Sequence, residues 1–184
     1  MKLKKRLLLS IYFIALAIFN FLLAWVPFFG MRRLLLAGLG WRIGKKVAIH
    51  RKIKITSLLT PCEIGDYSVV NSNCLLDNRR KIFIGHNVSI SQHSKIFTLG
   101  HDISSSDFAT RGHSVSIEDY AVIFSCSILM PKVRIGRGSV VLPGAVVSKD
   151  TDPYGIYGGN PIKKISVRPS NLNYQLDYRV WFGI

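Results

Sequence analysis

The sequence predicts an all-β chain: a left-handed parallel β-helix preceded by a hydrophobic helical segment. Three observations carry this. Aliphatic residues recur at every sixth position over a long stretch of the chain. An uncharged run of 24 residues, Leu7 to Gly30, precedes that stretch. Basic residues cluster around the run, whereas acidic residues begin only at Glu63.

The N-terminal run comes first. Between Leu7 and Gly30 only Ser10 and Asn20 are clearly polar. A straight helix of this length extends about 36 Å at ~1.5 Å per residue, enough for a hydrocarbon core of about 30 Å. A cleaved signal peptide fits poorly, because no small-x-small cleavage site follows and the run is too long. Pro27 is expected to end or kink the helix near Val26. A second short helix is expected from Met31 to Leu39, ended by Gly38 and Gly40. Twelve basic residues and no acid lie within residues 1–54, although the whole chain has 25 basic and 10 acidic residues. The remainder therefore carries only +3. A basic block around an apolar run, without a nucleic-acid motif, points to an anionic membrane surface and away from nucleic acid. Both flanks, Lys2 to Arg6 and Arg32 to Lys46, favour the cytoplasmic side. This predicts a re-entrant or in-plane helix, bent near Asn20 or Pro27. The alternative is a full span with the N-terminus outside.

The repeat begins at Ile43. Ile117, Ile123, Leu129, Ile135, Val141 and Val147 form six uninterrupted hexads. Earlier blocks keep the step: Ile43, Ile49, Ile55; Ile64, Val70, Leu76; Ile84, Ile90, Ile96. A period of six suits neither an α-helix nor a sustained two-residue alternation. It suits a triangular coil in which each hexad supplies one short strand and one corner. The aliphatic residue points inward and stacks on its equivalent in the next coil. Gly after the aliphatic, as in Ile43-Gly44 and Ile64-Gly65, is expected to supply a backbone setting that other residues resist. Two breaks interrupt the step, one between Leu76 and Ile84 and one between Ile96 and Ile117. Insertions at solenoid corners commonly form the binding face. Domain limits are therefore expected at 1–42 for the helical segment, 43–152 for the β-helix and 153–184 for a closing tail.

Cys62, Cys74 and Cys126 are odd in number and lack metal-ligand spacing, which argues against a disulfide framework or a zinc site. His86 and His93, or His101 and His113, do not make a convincing metal triad, so no metal is expected. His50 and His86 are expected at solvent-facing corners, His93 within a coil and His113 at the far end of the long insertion.

From Gly40 to Ile165 the chain resembles the hexapeptide-repeat O-acetyltransferases that act on sugars: the galactoside, maltose and nodulation enzymes, and especially the exopolysaccharide, colanic-acid-type branch. The motifs are CEIGDYSVVNSNCLLDNRRKIFIGHNVSIS, TLGHD and VVLPGAVVSKDTDPYGIYGGNP. The resemblance implies a homotrimer with sites between prisms, acetyl-CoA as donor and a sugar hydroxyl as acceptor. It implies His101 as the catalytic residue. It also implies Asn71 and Asp77 near the acceptor, although both residues equally suit ordinary corner capping. Lys149, Lys163 and Lys164 match positions near the CoA phosphates; each also suits a solvated surface. A neutral imidazole can take the proton of a weakly acidic hydroxyl as it attacks a thioester, and a donor must hold the developing oxyanion.

The chain departs from the family's Trp-Ile-Gly after the insertion, reading Val122-Ile123-Phe124. The expected function is transfer of acetyl to a cell-surface polysaccharide or its lipid-linked precursor, at the cytoplasmic face of the inner membrane, where acetyl-CoA is found. A catalytically silent scaffold, or an enzyme using an acyl-carrier-protein donor, are the alternatives.

Overall fold

The computed structural model describes residues 2–177. The tail of the expected closing segment, 178–184, lies outside the described residues.

Two helices open the chain, α1 (Lys2–Trp25) and α2 (Phe29–Gly38). The break falls at Pro27, and the helix runs through Asn20 without interruption. The hexads then wind into a left-handed parallel β-helix with three faces. The first face stacks Arg42–Ile43, Glu63–Ile64, Ile82–Ile84, Val115–Ile117 and Arg134–Ile135. The second stacks Ala48–Ile49, Val69–Val70, Ser89–Ile90, Val122–Ile123, Val140–Val141 and Gly155–Gly158; antiparallel Lys163–Val167 closes it. The third stacks Lys54–Ile55, Leu75–Leu76, Lys95–Ile96, Ile128–Leu129 and Val146–Val147. The register puts aliphatic on aliphatic: Ile49, Val70, Ile90, Ile123 and Val141 pair in one column. These side chains are buried, and their stacking builds a continuous core that no single coil could form.

The corners differ from expectation in one respect. At the uninterrupted corners the left-handed backbone falls three residues after the aliphatic, at Lys46, Lys52, Tyr67, Asn73, Asn87, His93, Tyr120, Cys126, Lys132, Gly138 and Gly144. The glycines directly after the aliphatic serve another purpose. A Cβ on Gly65 would lie 2.6 Å from the backbone of Gly85, and one on Gly85 would lie 2.7 Å from Asp119 N. These positions require Gly because successive coils approach too closely for a side chain.

A third break joins the two read from the sequence. The step from Ile55 to Ile64 is also irregular, and it carries the turn Ser57 to Pro61. All three breaks leave the prism at the edge between the third and first faces.

The open end of a β-helix exposes unpaired strand groups, and here α1 and α2 cover it. On the first face, Arg33 donates to Gly44 O at 3.0 Å. On the second, buried Arg32 donates to Ile49 O at 2.7 Å. On the third, the Asn20 amide accepts from Ile55 N at 2.9 Å and donates to Ile55 O at 3.0 Å, as a neighbouring strand would. Further along, Lys52 N donates to Ala24 O, and Leu58 N donates to the Tyr12 hydroxyl. The three contacts on residues 52, 55 and 58 run antiparallel to α1, so this helix lies across the end of the prism. His50, expected to face solvent, is half-buried beneath α2 with its ring 5.0 Å from that of Phe29.

Asn20 is therefore a cap. The variant Asn20→Leu, which a purely membranous helix would tolerate, should lose about 1–3 kcal/mol because it leaves a strand N–H and C=O without partners. Thermal unfolding in detergent checks this; an unchanged or higher midpoint would refute the capping role.

Candidate active site

The third insertion places His101. Leu99–His101 pairs antiparallel with Thr110–Gly112 to form a hairpin that projects from the edge of the prism. Gly112 permits the narrow base of this hairpin, since a Cβ there would meet Thr98 O at 2.6 Å. The His101 ring stacks on Phe108, with centroids 4.3 Å apart and planes 5° from parallel. Its Nδ1 lies 2.8 Å from the Phe108 carbonyl oxygen. A carbonyl can only accept, so Nδ1 is the donor in this contact, and the tautomer that fits it has its lone pair on Nε2. The residue is exposed, and that nitrogen is available to take a proton from a hydroxyl.

Asp77 ties the three insertions together. Its side chain is buried, and both carboxylate oxygens accept hydrogen bonds. Thr56 Oγ1, in the first insertion, donates to Oδ1 at 2.7 Å. Thr98 N and Leu99 N, at the root of the His101 hairpin, donate to Oδ2 at 3.2 and 3.3 Å. Arg79, in the second insertion, closes a two-pronged pair at 2.7 and 2.9 Å, and its guanidinium also reaches Leu99 O at 3.2 Å. Burial alone would raise the Asp77 pKa. Hydrogen bonds from Arg79, Thr56 and Thr98, together with the Arg79 charge, outweigh burial and hold the carboxyl at about 2. Its oxygens are thus engaged in positioning the strand that bears His101. Arg79 was not singled out in the sequence. The only hint was its place in the second break, beside an acid whose partner was unknown. Asn78 is buried next to Asp77 and holds the first insertion through Thr56 N, Ser57 N, Ser57 O and Thr60 O.

The other expected site residues are distributed differently. Asn71 lies at the edge between the second and third faces, where its amide donates to Ile90 O at 3.0 Å. Within one chain it does not join His101. Lys149 is exposed and follows Val147 on the third face, at the same edge as His101. Two strand steps separate Ile96 from Val147, about 10 Å along the prism. Lys163 and Lys164 lie on the exposed antiparallel strand of the second face. Lys164 is engaged with Asp152 at 2.7 Å, which raises its pKa and lowers that of Asp152. Phe124, in the departure from the family's Trp-Ile-Gly, is partly exposed at the Asn71 edge, while Ile123 is buried in the core. Among the described residues no group of His, Cys, Asp and Glu is arranged to hold a metal ion.

No family model matches the chain. Known proteins do. It is 32% identical over 147 residues, 79% of this chain and 80% of the other, to a protein of Escherichia coli (strain K12) named as a colanic acid biosynthesis acetyltransferase, WcaF. A maltose O-acetyltransferase from Clostridium difficile 630 superposes with a TM-score of 0.79 at 25% identity, over 89% of both chains. A hexapeptide-repeat-containing acetyltransferase of Vibrio cholerae, solved in complex with acetyl coenzyme A, shares the fold with a TM-score of 0.76 at 23% identity, over 84% of this chain and 86% of that one. With the hexad coil, a histidine hairpin at one edge and these likenesses together, the chain belongs to the hexapeptide-repeat acetyltransferases.

Proposed function

We propose that this protein transfers acetyl from acetyl-CoA to a sugar hydroxyl of a cell-surface polysaccharide or its lipid-linked precursor. The observation that carries the proposal is the placement of His101, whose Nδ1 faces the Phe108 carbonyl at 2.8 Å and whose Nε2 is turned away from that contact, at the edge where the insertions emerge. In this reading acetyl-CoA supplies the thioester, His101 takes the hydroxyl proton, and Asp77 and Arg79 hold the histidine strand in place. Lys149 is exposed on the same edge, which supports a contact with a donor phosphate in this reading. Asn71, on another edge, would face the acceptor only across a subunit boundary, which supports a homotrimer with its sites between prisms.

The test is thioester hydrolysis by purified protein given acetyl-CoA, with and without a membrane extract containing lipid-linked sugars. Extract-dependent turnover is expected. Lys149→Glu should weaken donor binding, and less so for a CoA analogue without the 3′-phosphate. The replacement of the family Trp by Val122 favours a second reading, a silent scaffold, and absence of turnover with every donor would select it.

The helical segment, 1–42, serves in this reading as a membrane anchor for the catalytic β-helix, 43–152, with 153–184 closing the coil. α1 is apolar enough to cross a membrane. One side, with Leu16, Phe19 and Leu23, packs on the prism, whereas Leu7, Ile11, Ile14, Ile18 and Phe21 are exposed. A helix laid across the prism end, with its apolar side outward and basic residues at both flanks, supports an in-plane anchor on the cytoplasmic face. In cells expressing a variant with Cys62, Cys74 and Cys126 replaced and Lys2→Cys added, an impermeant thiol reagent should label only after the membrane is opened. Labelling of sealed cells would establish a full span instead.

A further inference from the structure

A second site lies away from His101, where the helices meet the prism. A cavity of about 670 Å³ opens at the edge between the second and third faces, lined by Trp25, Arg51, Lys52, Ser72, Asn73 and Gln92. Its lining climbs the edge coil by coil. Arg51 and Lys52 belong to the first coil, Ser72 and Asn73 to the second, and Gln92 to the third. Each coil adds about 4.8 Å, so the polar wall extends roughly 10 Å from the end that carries the helices. The base of the cavity is cationic and its upper wall is made of neutral hydrogen-bonding groups.

Among the described residues the cations have no acidic counterpart. Neither Arg51 nor Lys52 forms an ion pair among the described residues, and no acid precedes Glu63 in the chain. The Arg51 Nε is buried and makes no hydrogen bond to a described residue. Its guanidinium lies 5.3 Å from the centroid of the Trp25 ring, which holds it against the end of α1. Arg32, which is buried, is a second cation near it. Burial and the Arg51 charge together lower the Arg32 pKa to about 10. Two neighbouring guanidiniums repel one another, so an anion bound beside Arg51 relieves a repulsion that the protein alone does not neutralise.

We propose that this cavity binds the phosphate or diphosphate of a sugar phosphate, with Arg51 and Lys52 on the phosphoryl oxygens and Ser72, Asn73 and Gln92 on the sugar. The proposal rests on the reading of the protein as a sugar acetyltransferase and adds the phosphorylated form of its acceptor. Trp25 ends α1 at the place where the proposed anchor meets the headgroup region, the usual depth for tryptophan. A diphosphate attached to a membrane lipid would reach the cationic base first and project its sugar toward Asn71, which adjoins Ser72 on the same edge.

Binding of full-length protein to three kinds of vesicle tests this: phosphatidylcholine alone, phosphatidylcholine with phosphatidylglycerol, and phosphatidylcholine with a long-chain polyprenyl diphosphate at matched surface charge. The wild type should prefer the diphosphate vesicles by about tenfold over the phosphatidylglycerol ones. The double variant Arg51→Gln, Lys52→Gln should lose that preference yet keep its circular dichroism and its binding to phosphatidylglycerol vesicles. The single variant Lys52→Gln, at an exposed residue, should lose part of the preference. Equal binding of the wild type to both anionic vesicles, or an undiminished preference in the double variant, would overturn the site. Inorganic pyrophosphate identifies the source. Release of the protein to the level of phosphatidylglycerol vesicles, with equal affinity for free pyrophosphate, assigns the site to soluble phosphates; retention on the membrane assigns it to the lipid. Diphosphate preference without acetyl transfer to a lipid-linked sugar would keep the site and refute the acceptor reading, and transfer without preference would do the reverse.

Discussion

His101→Ala is expected to reduce kcat by about 10²–10⁴-fold, the usual contribution of a positioned general base. The side chain is exposed and contributes only the Phe108 stack and one hydrogen bond to the protein, so the fold should survive. His113→Ala should cost far less, because His113 engages the hairpin through its backbone N–H, which donates to Thr98 O at 2.9 Å. Steady-state kinetics of both variants, with circular dichroism to verify folding, provides the test. Comparable losses from the two replacements would remove His101 from its role.

Asp77→Ala should be the most destabilising single change at the site, by about 3 kcal/mol. It strands Arg79 and leaves the N–H groups of Thr98 and Leu99 without an acceptor. The same contacts predict a pH dependence. The folded-state pKa of about 2 lies below the ordinary value of 3.8, so the stabilisation is full above about pH 4. It is lost as pH falls from there toward 2. The shift corresponds to about 2 kcal/mol at ~1.4 kcal/mol per unit, and to less once solvent around the half-exposed Arg79 is allowed for. Asp77→Asn should flatten this acid limb in denaturant titrations. It should also lower kcat with little change in the donor KM, since it loosens the histidine strand and leaves the Lys149 edge untouched. An acid limb identical to that of the wild type would show that Asp77 is not the titrating group.

The β-helix was legible because its determinant is local and repeated. Each hexad states the same inward aliphatic, and a period of six admits few other backbones. The break between the helices was legible for a similar reason, since Pro27 acts on its immediate neighbours. The irregular step between Ile55 and Ile64 escaped notice because a turn of ordinary polar residues between two intact blocks has no signature of its own. The reason for Gly65 and Gly85 was misjudged. What excludes a side chain there is a backbone some twenty or more residues away, and no local rule contains that contact.

The sequence by itself determined the coil and the apolar N-terminal segment, because periodicity and hydropathy are properties of neighbouring residues. Only the tertiary structure decided what the polar residues do. Asn20 reads as a blemish in an apolar helix until Ile55 is brought against it. Asp77 reads as a corner cap or a sugar ligand until Thr56, Arg79 and Thr98 converge on it from three insertions. Arg51 reads as one more basic residue until the fold sets its guanidinium beside Trp25, with its Nε buried and without a hydrogen-bond partner among the described residues. A buried polar group must find a partner, and that partner is selected by distance in space, on which the order of residues along the chain is silent.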